Sequence, residues 1–550
     1  TSVGLVFDPN ATASNLIAYL THDSGGLNGA PAWDGNLSRL TGPNLENHDL
    51  ILTQLPRSKK DHLTNSMAFN PGEPRVIYFN QGSNSAAGAP DNAWGNRRER
   101  LLSAANLRLD LDKLPEQNWP LNVKTTMDPA AINSVNLNSP TLTSTVGTYN
   151  EDGQTFTDDG TYNPFYVNAP LTLFATGIRN AYDLVWHSNG QLYIPTNGTA
   201  GGSNAPASIN GTRRPDGTFY DHSNPSLFPV IQASNSNNVQ KDWLFRIDPN
   251  TDLGFYGHPN PLLGQFVLNR GDADVNNGVY DGVQADINYR GAAFDFELNK
   301  SPNGVIEYKS NAENGNLKGA ILVVRYSGGS DIIALVPDGP NGDILTAKTG
   351  IPGFSGFSDP LDLVEDVTNG NIYVSDFARN EIVLLKPSNQ AIPTPLIVLN
   401  TEEIIGDAIS NSSNYNEEII ISNLGNAVLS GITAEITGAN SNQFSFTGLP
   451  SSIDTQSSGS FNVLFTPTSN GPKYAELTIS GTGAEAVVIA LTGLGKAGTG
   501  GANEPSLQWV LDTQLGNGVI NVGDTNPATN VLDLPNGTAY NDLLGDERIN

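Results

Sequence analysis

Four short segments decide the fold: Arg75-Val76-Ile77-Tyr78-Phe79, Gln191-Leu192-Tyr193-Ile194, Ala320-Ile321-Leu322-Val323-Val324 and Asn371-Ile372-Tyr373-Val374. Each is an apolar run of β-branched and aromatic residues, preceded by a turn residue and followed by a polar turn, which reads as a strand. Turns such as His187-Ser188-Asn189-Gly190 and Thr368-Asn369-Gly370 feed them. Their spacing, roughly 50 residues or about double that, suits a β-propeller whose four-stranded blades take about 40–50 residues each. Amphipathic helical periodicity is scarce, and 57 Gly and 35 Pro punctuate the chain throughout. The expected class is all-β: a six-bladed propeller over residues 1–388, with long insertions.

The texture changes further along. Residues 389–395 form a Pro-rich linker, within Pro387-Ser388-Asn389-Gln390-Ala391-Ile392-Pro393-Thr394-Pro395, stiff and extended because proline fixes its backbone. Residues 396–496 carry strands at sandwich spacing (418–422, 428–436, 443–446, 460–465, 475–479 and 486–491), which predicts an immunoglobulin-like β-sandwich. A Gly-rich linker, 497–503, leads to residues 504–550, which read as the start of a third β domain.

Composition narrows function. The 550 residues include 28 Lys plus Arg against 56 Asp plus Glu, a formal net charge of −28. Phosphate binding needs clustered cations, so a nucleic-acid partner is excluded, and an anionic membrane surface is disfavoured. There is no Cys, which removes disulfides, thiolate catalysis and Cys-based metal sites. That composition fits an exported bacterial protein, extracellular or on the cell surface. No apolar run reaches the roughly 18 residues of a transmembrane helix, so no membrane insertion is expected. The chain opens on Thr1 with no visible signal peptide, which reads as a processed or trimmed terminus, and the last residues read as a truncation.

Three ordered segments resemble the glucose/sorbosone dehydrogenase family, the soluble sugar dehydrogenases that use pyrroloquinoline quinone (PQQ). They are Asp61-His62-Leu63-Thr64-Asn65-Ser66-Met67-Ala68-Phe69 with Val76 to Gly82; Gly177-Ile178-Arg179-Asn180-Ala181-Tyr182-Asp183-Leu184 with Gly190 to Tyr193; and Tyr256-Gly257-His258-Pro259. The resemblance covers roughly residues 1–388 and implies a six-bladed propeller. It implies His62 as the base that takes a sugar C1 hydroxyl proton, suited by an unperturbed pKa of about 6.5, with Asp61 orienting it. Arg179 and Asn180 would contact the quinone, whose carboxylates match a guanidinium fork, and Gln81 would lie beside the sugar. Ca²⁺ would bridge the quinone through Tyr256, the backbone of Gly198 and Thr199, and Asp242 as a loose acidic match. The sandwich resembles the repeats of large bacterial surface proteins, carried by Ser460-Phe461-Asn462-Val463-Leu464-Phe465-Thr466-Pro467, and residues 504–550 faintly resemble a malectin-like domain.

The chain departs from that family where the quinone's carboxylates would be anchored. Near the expected Lys it reads Val324-Arg325-Tyr326-Ser327-Gly328-Gly329, leaving Arg325 or Lys318 as substitutes. Where two Arg are expected it reads Gly356-Phe357-Ser358-Asp359-Pro360-Leu361-Asp362, and acids there repel a tricarboxylate. Two readings therefore stand together. One is a PQQ- and Ca²⁺-dependent aldose dehydrogenase. The other is a non-catalytic propeller serving as a structural, adhesive or binding module of a larger extracellular assembly, with a sugar, a polysaccharide or other extracellular subunits as partners. A lactonase-like hydrolase on the same fold is a third. Asp272-Ala273-Asp274-Val275-Asn276-Asn277-Gly278 offers spaced oxygens for a hard cation, or an ordinary polar turn. Arg97-Arg98-Glu99-Arg100 and Arg213-Arg214 read as solvated loop charges, and the Asn/Thr/Ser-rich stretch from about 115 to 164 as a long loop on one propeller face.

Overall fold

A computed structural model describes residues 2–199, 203–235, 239–251, 253–270, 278–388, 394–401, 403–455 and 457–496, with two short strands at Thr525–Asn526 and Val531–Leu532. The Asp272–Asn277 turn, most of the Pro-rich linker, the Gly-rich linker and most of 504–550 lie outside the described residues. The chain divides into two compact units, Thr1–Ile392 and Pro393–Asn550.

The first unit is built of antiparallel sheets in sequence order, as a propeller requires. Sheet I holds Ser2–Phe7, Ile17–His22, Gly35–Thr41 and Asn47–Leu55, sheet II Thr64–Asn70, Glu73–Gln81, Ala105–Asp110 and Leu171–Thr176, and sheet III Val185–Trp186, Leu192–Thr196, Asp242–Ile247 and Phe294–Glu297. Sheet IV holds Pro302–Glu307, Ile321–Arg325, Asp331–Val336 and Thr346–Lys348; sheet V holds Pro360–Asp366, Asn371–Asp376 and Glu381–Leu385. Against the six blades expected, five such sheets are seen among the described residues.

The four deciding segments occupy interior strands of sheets II to V, which explains their unbroken hydrophobicity. The strands of sheets II to IV are covered on both faces by neighbouring sheets, while on the sheet V strand Tyr373 stays 37 % exposed. Ile77 and Phe79 belong to the core shared by sheets I and II, whereas Val76 and Tyr78, pointing the other way, join the core with sheet III. The alternation of a strand thus distributes one segment between two inter-sheet cores.

The 115–164 stretch is not a free loop. Leu121–Asn122 pairs in parallel with Leu52 and Thr53, extending sheet I. A short helix, Pro129–Asn133, is capped by the Asp128 carboxylate on Ala130 N, and Thr148–Glu151 pairs with Gln154–Thr157. Val123, Met127, Ile132, Leu142, Tyr149 and Tyr162 are buried in the core of sheets I and II. Its polar composition hid a scattered apolar minority that is buried.

The charges read as solvated loop residues are largely buried. Arg100 and Arg214 are 0 % exposed and Glu99 is 1 % exposed. Arg100 pairs with Glu151 at 2.6 Å, and Arg214 with Asp286 at 2.6 Å. Burial without such partners would cost several kcal/mol per ion, so the insertions supply the counter-charges.

The second unit is a two-sheet sandwich. One sheet orders Ile397–Leu399, Tyr415–Asn423, Ser457–Phe465 and Phe444–Thr447, and the other Glu403–Ile409, Val487–Lys496, Gly471–Ser480 and Thr433–Thr437. Glu403–Ile409 runs parallel to its neighbour Val487–Lys496. Ile419, Ile421, Phe461, Leu477, Ile479 and Ile489 fill the space between the sheets. The expected strand over 428–436 is broken at Gly431, which adopts a positive φ. Among the described residues no helix is long and apolar enough to cross a membrane.

Candidate functional site

The three ordered segments meet in space. Asn65 Nδ2 donates to Ala181 O at 2.8 Å and to Asn180 Oδ1 at 3.3 Å, while Ser66 N donates to Tyr182 O. The third segment docks on the second: Tyr256 N donates to Thr176 O, and His258 N donates to Gly177 O. Gly177 opens its turn at φ +76°, with the Phe255 ring 2.5 Å from where a Cβ would sit. Only glycine meets both demands.

His62 is 2 % exposed, on a loop folded around a buried cation. The Arg57 guanidinium donates to the carbonyls of Ser58, Lys60 and His62 and, across the sheet, to Gly26 O and Asp23 Oδ2. The His62 Nδ1 faces Ser83 Oγ at 2.9 Å and Ser83 O at 3.1 Å. Ser83 Oγ spends its own hydrogen on Ser85 O at 2.6 Å. Both groups facing Nδ1 therefore accept, and Nδ1 carries the ring proton. Burial and the Arg179 charge hold the imidazole well below its ordinary pKa, so it is neutral at pH 7. Trp94 lies over it, ring centroids 4.3 Å apart, on a single turn whose amide is capped by Asp91.

Arg179 is held rather than free. Its Nε donates to Ala86 O at 2.8 Å, and its Nη1 to Asn197 O and Gly198 O at 3.2 and 3.1 Å. Burial pushes this guanidinium down to about 10.

Asp61, Leu63, Asn65, Asn180, Tyr182 and Asn197 line one side of a cavity of about 470 Å³. Ser301, Asn303 and Tyr326 of the sheet IV side, Leu361 and Phe377 of sheet V, and Ser2, Val3 and Leu27 of sheet I complete it. Residues of sheets I, II, IV and V, with Asn197 just beyond a strand of sheet III, converge there, which makes it the axial cavity of the propeller. Its polar lining is amide and hydroxyl, with Asp61 the sole charged side chain among the described lining residues.

Several expectations from the sequence are corrected. Asp61 does not orient His62, because Ser83 holds Nδ1 and Asp61 is exposed on the cavity side. Gln81 is no substrate contact. It is 1 % exposed, accepts from Thr64 Oγ1 and donates to Pro56 O and Leu63 O. Arg325 is committed to Asp331 through two bonds of 2.7 and 2.6 Å on the hairpin of sheet IV, and Lys318 lies exposed on a turn.

The calcium set does not form either. Asp242 accepts three backbone amides, from Gly198, Lys300 and Ser301. Gly198 thus offers it a donor, while its carbonyl serves Arg179. Thr199 bonds Gln240 and Ser203, and the buried Tyr256 hydroxyl donates to Arg246 O at 2.8 Å. No cluster of three or more acidic or imidazole groups able to hold a metal occurs among the described residues.

PQQ fits these residues poorly. It is a tricarboxylate, and no Lys or Arg lines the cavity among the described residues, while the nearby guanidiniums are spent on main-chain carbonyls or on Asp331. Sequence reasoning missed Ser83, Trp94 and Asn303, and it read Glu99, which is 1 % exposed, as a solvated charge. Asn65 and Tyr326 stood inside quoted segments without being singled out.

No protein-family model matches the chain, and no curated protein matches it. Among solved structures, the chain is similar to a putative oxidoreductase (glucose dehydrogenase) of Thermus thermophilus, at 17 % identity and a TM-score of 0.37, covering 71 % of this chain and 81 % of that one. It is similar also to the holo PQQ domain of the pyranose dehydrogenase of Coprinopsis cinerea, at 12 % identity and a TM-score of 0.37, covering 70 % and 81 %. A third likeness, to a PapD-like domain of human CEP192, has 9 % identity and a TM-score of 0.16, covering 21 % and 95 %.

Proposed function

We propose that the propeller is a binding module for a neutral, hydroxyl-rich ligand, a sugar or the end of a polysaccharide, held in the axial cavity of an extracellular or cell-surface protein. The observation that carries this is the cavity lining. Asn65, Asn180, Asn197, Asn303, Ser301, Tyr182 and Tyr326 offer neutral donors and acceptors beside Leu63, Leu361 and Phe377. Its volume is that of a small-molecule site, and amides next to apolar surface match the alternating hydroxyl and C–H faces of a sugar. The cysteine-free, acidic composition and the appended sandwich favour the extracellular setting.

The test is calorimetric titration of the full chain with a panel of neutral mono- and oligosaccharides. Saturable binding is expected, weakened about tenfold in Asn180→Ala, the worth of roughly one hydrogen bond to a ligand. Absence of any binding sugar, or binding indifferent to both Asn180→Ala and Asn303→Ala, removes the reading.

One further group belongs to the site: Ser83 holds Nδ1 of the neutral His62 ring, which leaves Nε2 as a hydrogen-bond acceptor on a residue between the cavity-lining Asp61 and Leu63.

A further inference from the structure

We propose that Glu99, a buried carboxylate more than 30 residues from His62 in the chain, is a positioning residue that fixes the proton on His62 Nδ1 by pinning the turn from Ser83 to Gly88. The inference rests on reading His62 as a hydrogen-bond acceptor of the candidate site.

Glu99 is 1 % exposed and gathers five donors. Its Oε1 accepts Ser85 N at 2.9 Å, Ser85 Oγ at 2.5 Å and His258 Nε2 at 3.0 Å; its Oε2 accepts Asn84 N at 3.0 Å and Ser103 Oγ at 2.5 Å. Four of these donors belong to the turn itself or to the strand entry beside it. Ser85 Oγ in turn accepts Gly88 N at 2.9 Å, closing the turn on itself. The turn so held presents acceptors in two directions. Ser83 Oγ and O receive His62 Nδ1, and Ala86 O receives Arg179 Nε. Ser83 N also donates to Arg179 O at 2.8 Å. One carboxylate therefore sets both the base candidate and the guanidinium beside it.

The logic is that of a supporting shell. A ring's tautomer is set by the bond its other nitrogen makes, and the residue making that bond must itself be held. Ser83 is neutral, and its hydroxyl can either donate or accept. Without the Ser85 carbonyl to take its hydrogen, its hydroxyl could turn and donate to Nδ1, and Nε2 would then carry the proton. Ser85 stays in place because both its amide and its hydroxyl are fixed on Glu99. His258, 1 % exposed, joins the third motif to this network through Glu99.

The test is nitrogen NMR of the histidine rings in the full-length chain, with selective labelling and assignment by His62→Gln. The native chain is expected to show His62 in a single form with Nδ1 protonated. In Glu99→Gln, whose amide hydrogens face existing donors, that single form is expected to be lost and the Nε2-protonated form to appear. Ser85→Ala, a milder change that removes the Ser85 Oγ bond to Glu99 and keeps its amide bond, is the second variant, and partial loss of the single form is expected there. A native His62 protonated on Nε2, or a single Nδ1 form unchanged in both variants, overturns the proposal. Should Glu99→Gln fail to fold, Ser85→Ala alone decides. Sugar binding plays no part in this readout, so failure of the proposed function and failure of this inference are separable.

Discussion

Arg57→Met is expected to destabilise the propeller unit by about 3–5 kcal/mol, the range for removing one partner of a buried pair. Arg57 is 0 % exposed, and the Asp23 carboxylate it faces is 2 % exposed at the side chain. Methionine fills much of the same volume, so the loss is electrostatic. Asp23 loses its counter-ion, and the carbonyls of Gly26, Ser58, Lys60 and His62 lose their donor. Those carbonyls shape the loop that carries Asp61 and His62, so the His62 ring signals are expected to shift as well. Denaturant unfolding followed on the propeller unit measures the effect. A loss below about 1 kcal/mol, the range of a surface pair, would show that the loop holds its shape without the guanidinium.

Asp362→Asn is expected to act in the opposite direction, stabilising the unit at neutral pH by about 1–2 kcal/mol, an ordinary single-site effect. Asp362 and Asp183 flank the Gly304-Val305 segment. Asp183 Oδ2 accepts Val305 N at 2.9 Å, and a Cβ on Gly304 would collide with Asp362 Oδ1. Burial, and then the neighbouring Asp183 charge, raise the Asp362 carboxyl above the usual carboxylate range; burial does the same to Asp183. A carboxyl raised in the folded state binds its proton longer there than in the unfolded chain. Stability therefore falls as pH climbs from about 4 through the neutral range. The amide carries no such penalty, so the gain from Asp362→Asn should be absent near pH 4 and grow with pH. Unfolding free energies of both proteins across that range check it. A gain that is independent of pH, or a loss, would contradict the assignment.

The legible part of this fold was the part that sequence periodicity encodes. Interior blade strands such as Leu192–Thr196 are apolar on both faces, so they announced themselves, and the sandwich strands alternated as half-buried strands do. What was illegible shares one cause: long-range pairing. Glu99, Arg100 and Arg214 carry charges that sequence reading assigns to solvent, yet each is buried against a partner 51 to 159 residues away; Arg57 is buried likewise against Asp23, 34 residues away. The candidate site divides in the same manner. His62, Arg179 and Asn180 sat in recognisable segments, and the structure brings them together. The cavity that Asn180 lines is closed by Asn303, Tyr326 and Leu361, contributed by other sheets, and no local pattern marks them. Ser83 stood just outside the quoted segments. Its role follows only from the ring it faces. Nor does a sequence show that Asp242, Tyr256 and Arg179, which the resemblance implies as metal or quinone contacts, already have protein partners.

The central claim is that the axial cavity is made for a neutral hydroxyl-rich ligand and not for a multiply charged one. The most direct measurement is a parallel titration of the full-length chain with neutral oligosaccharides and with PQQ plus Ca²⁺, the quinone followed by its absorbance and the sugars by calorimetry. The account predicts saturable sugar binding, reduced in Asn180→Ala, and no stoichiometric uptake of quinone. Stoichiometric quinone binding, displaced or strengthened by an aldose, would contradict it.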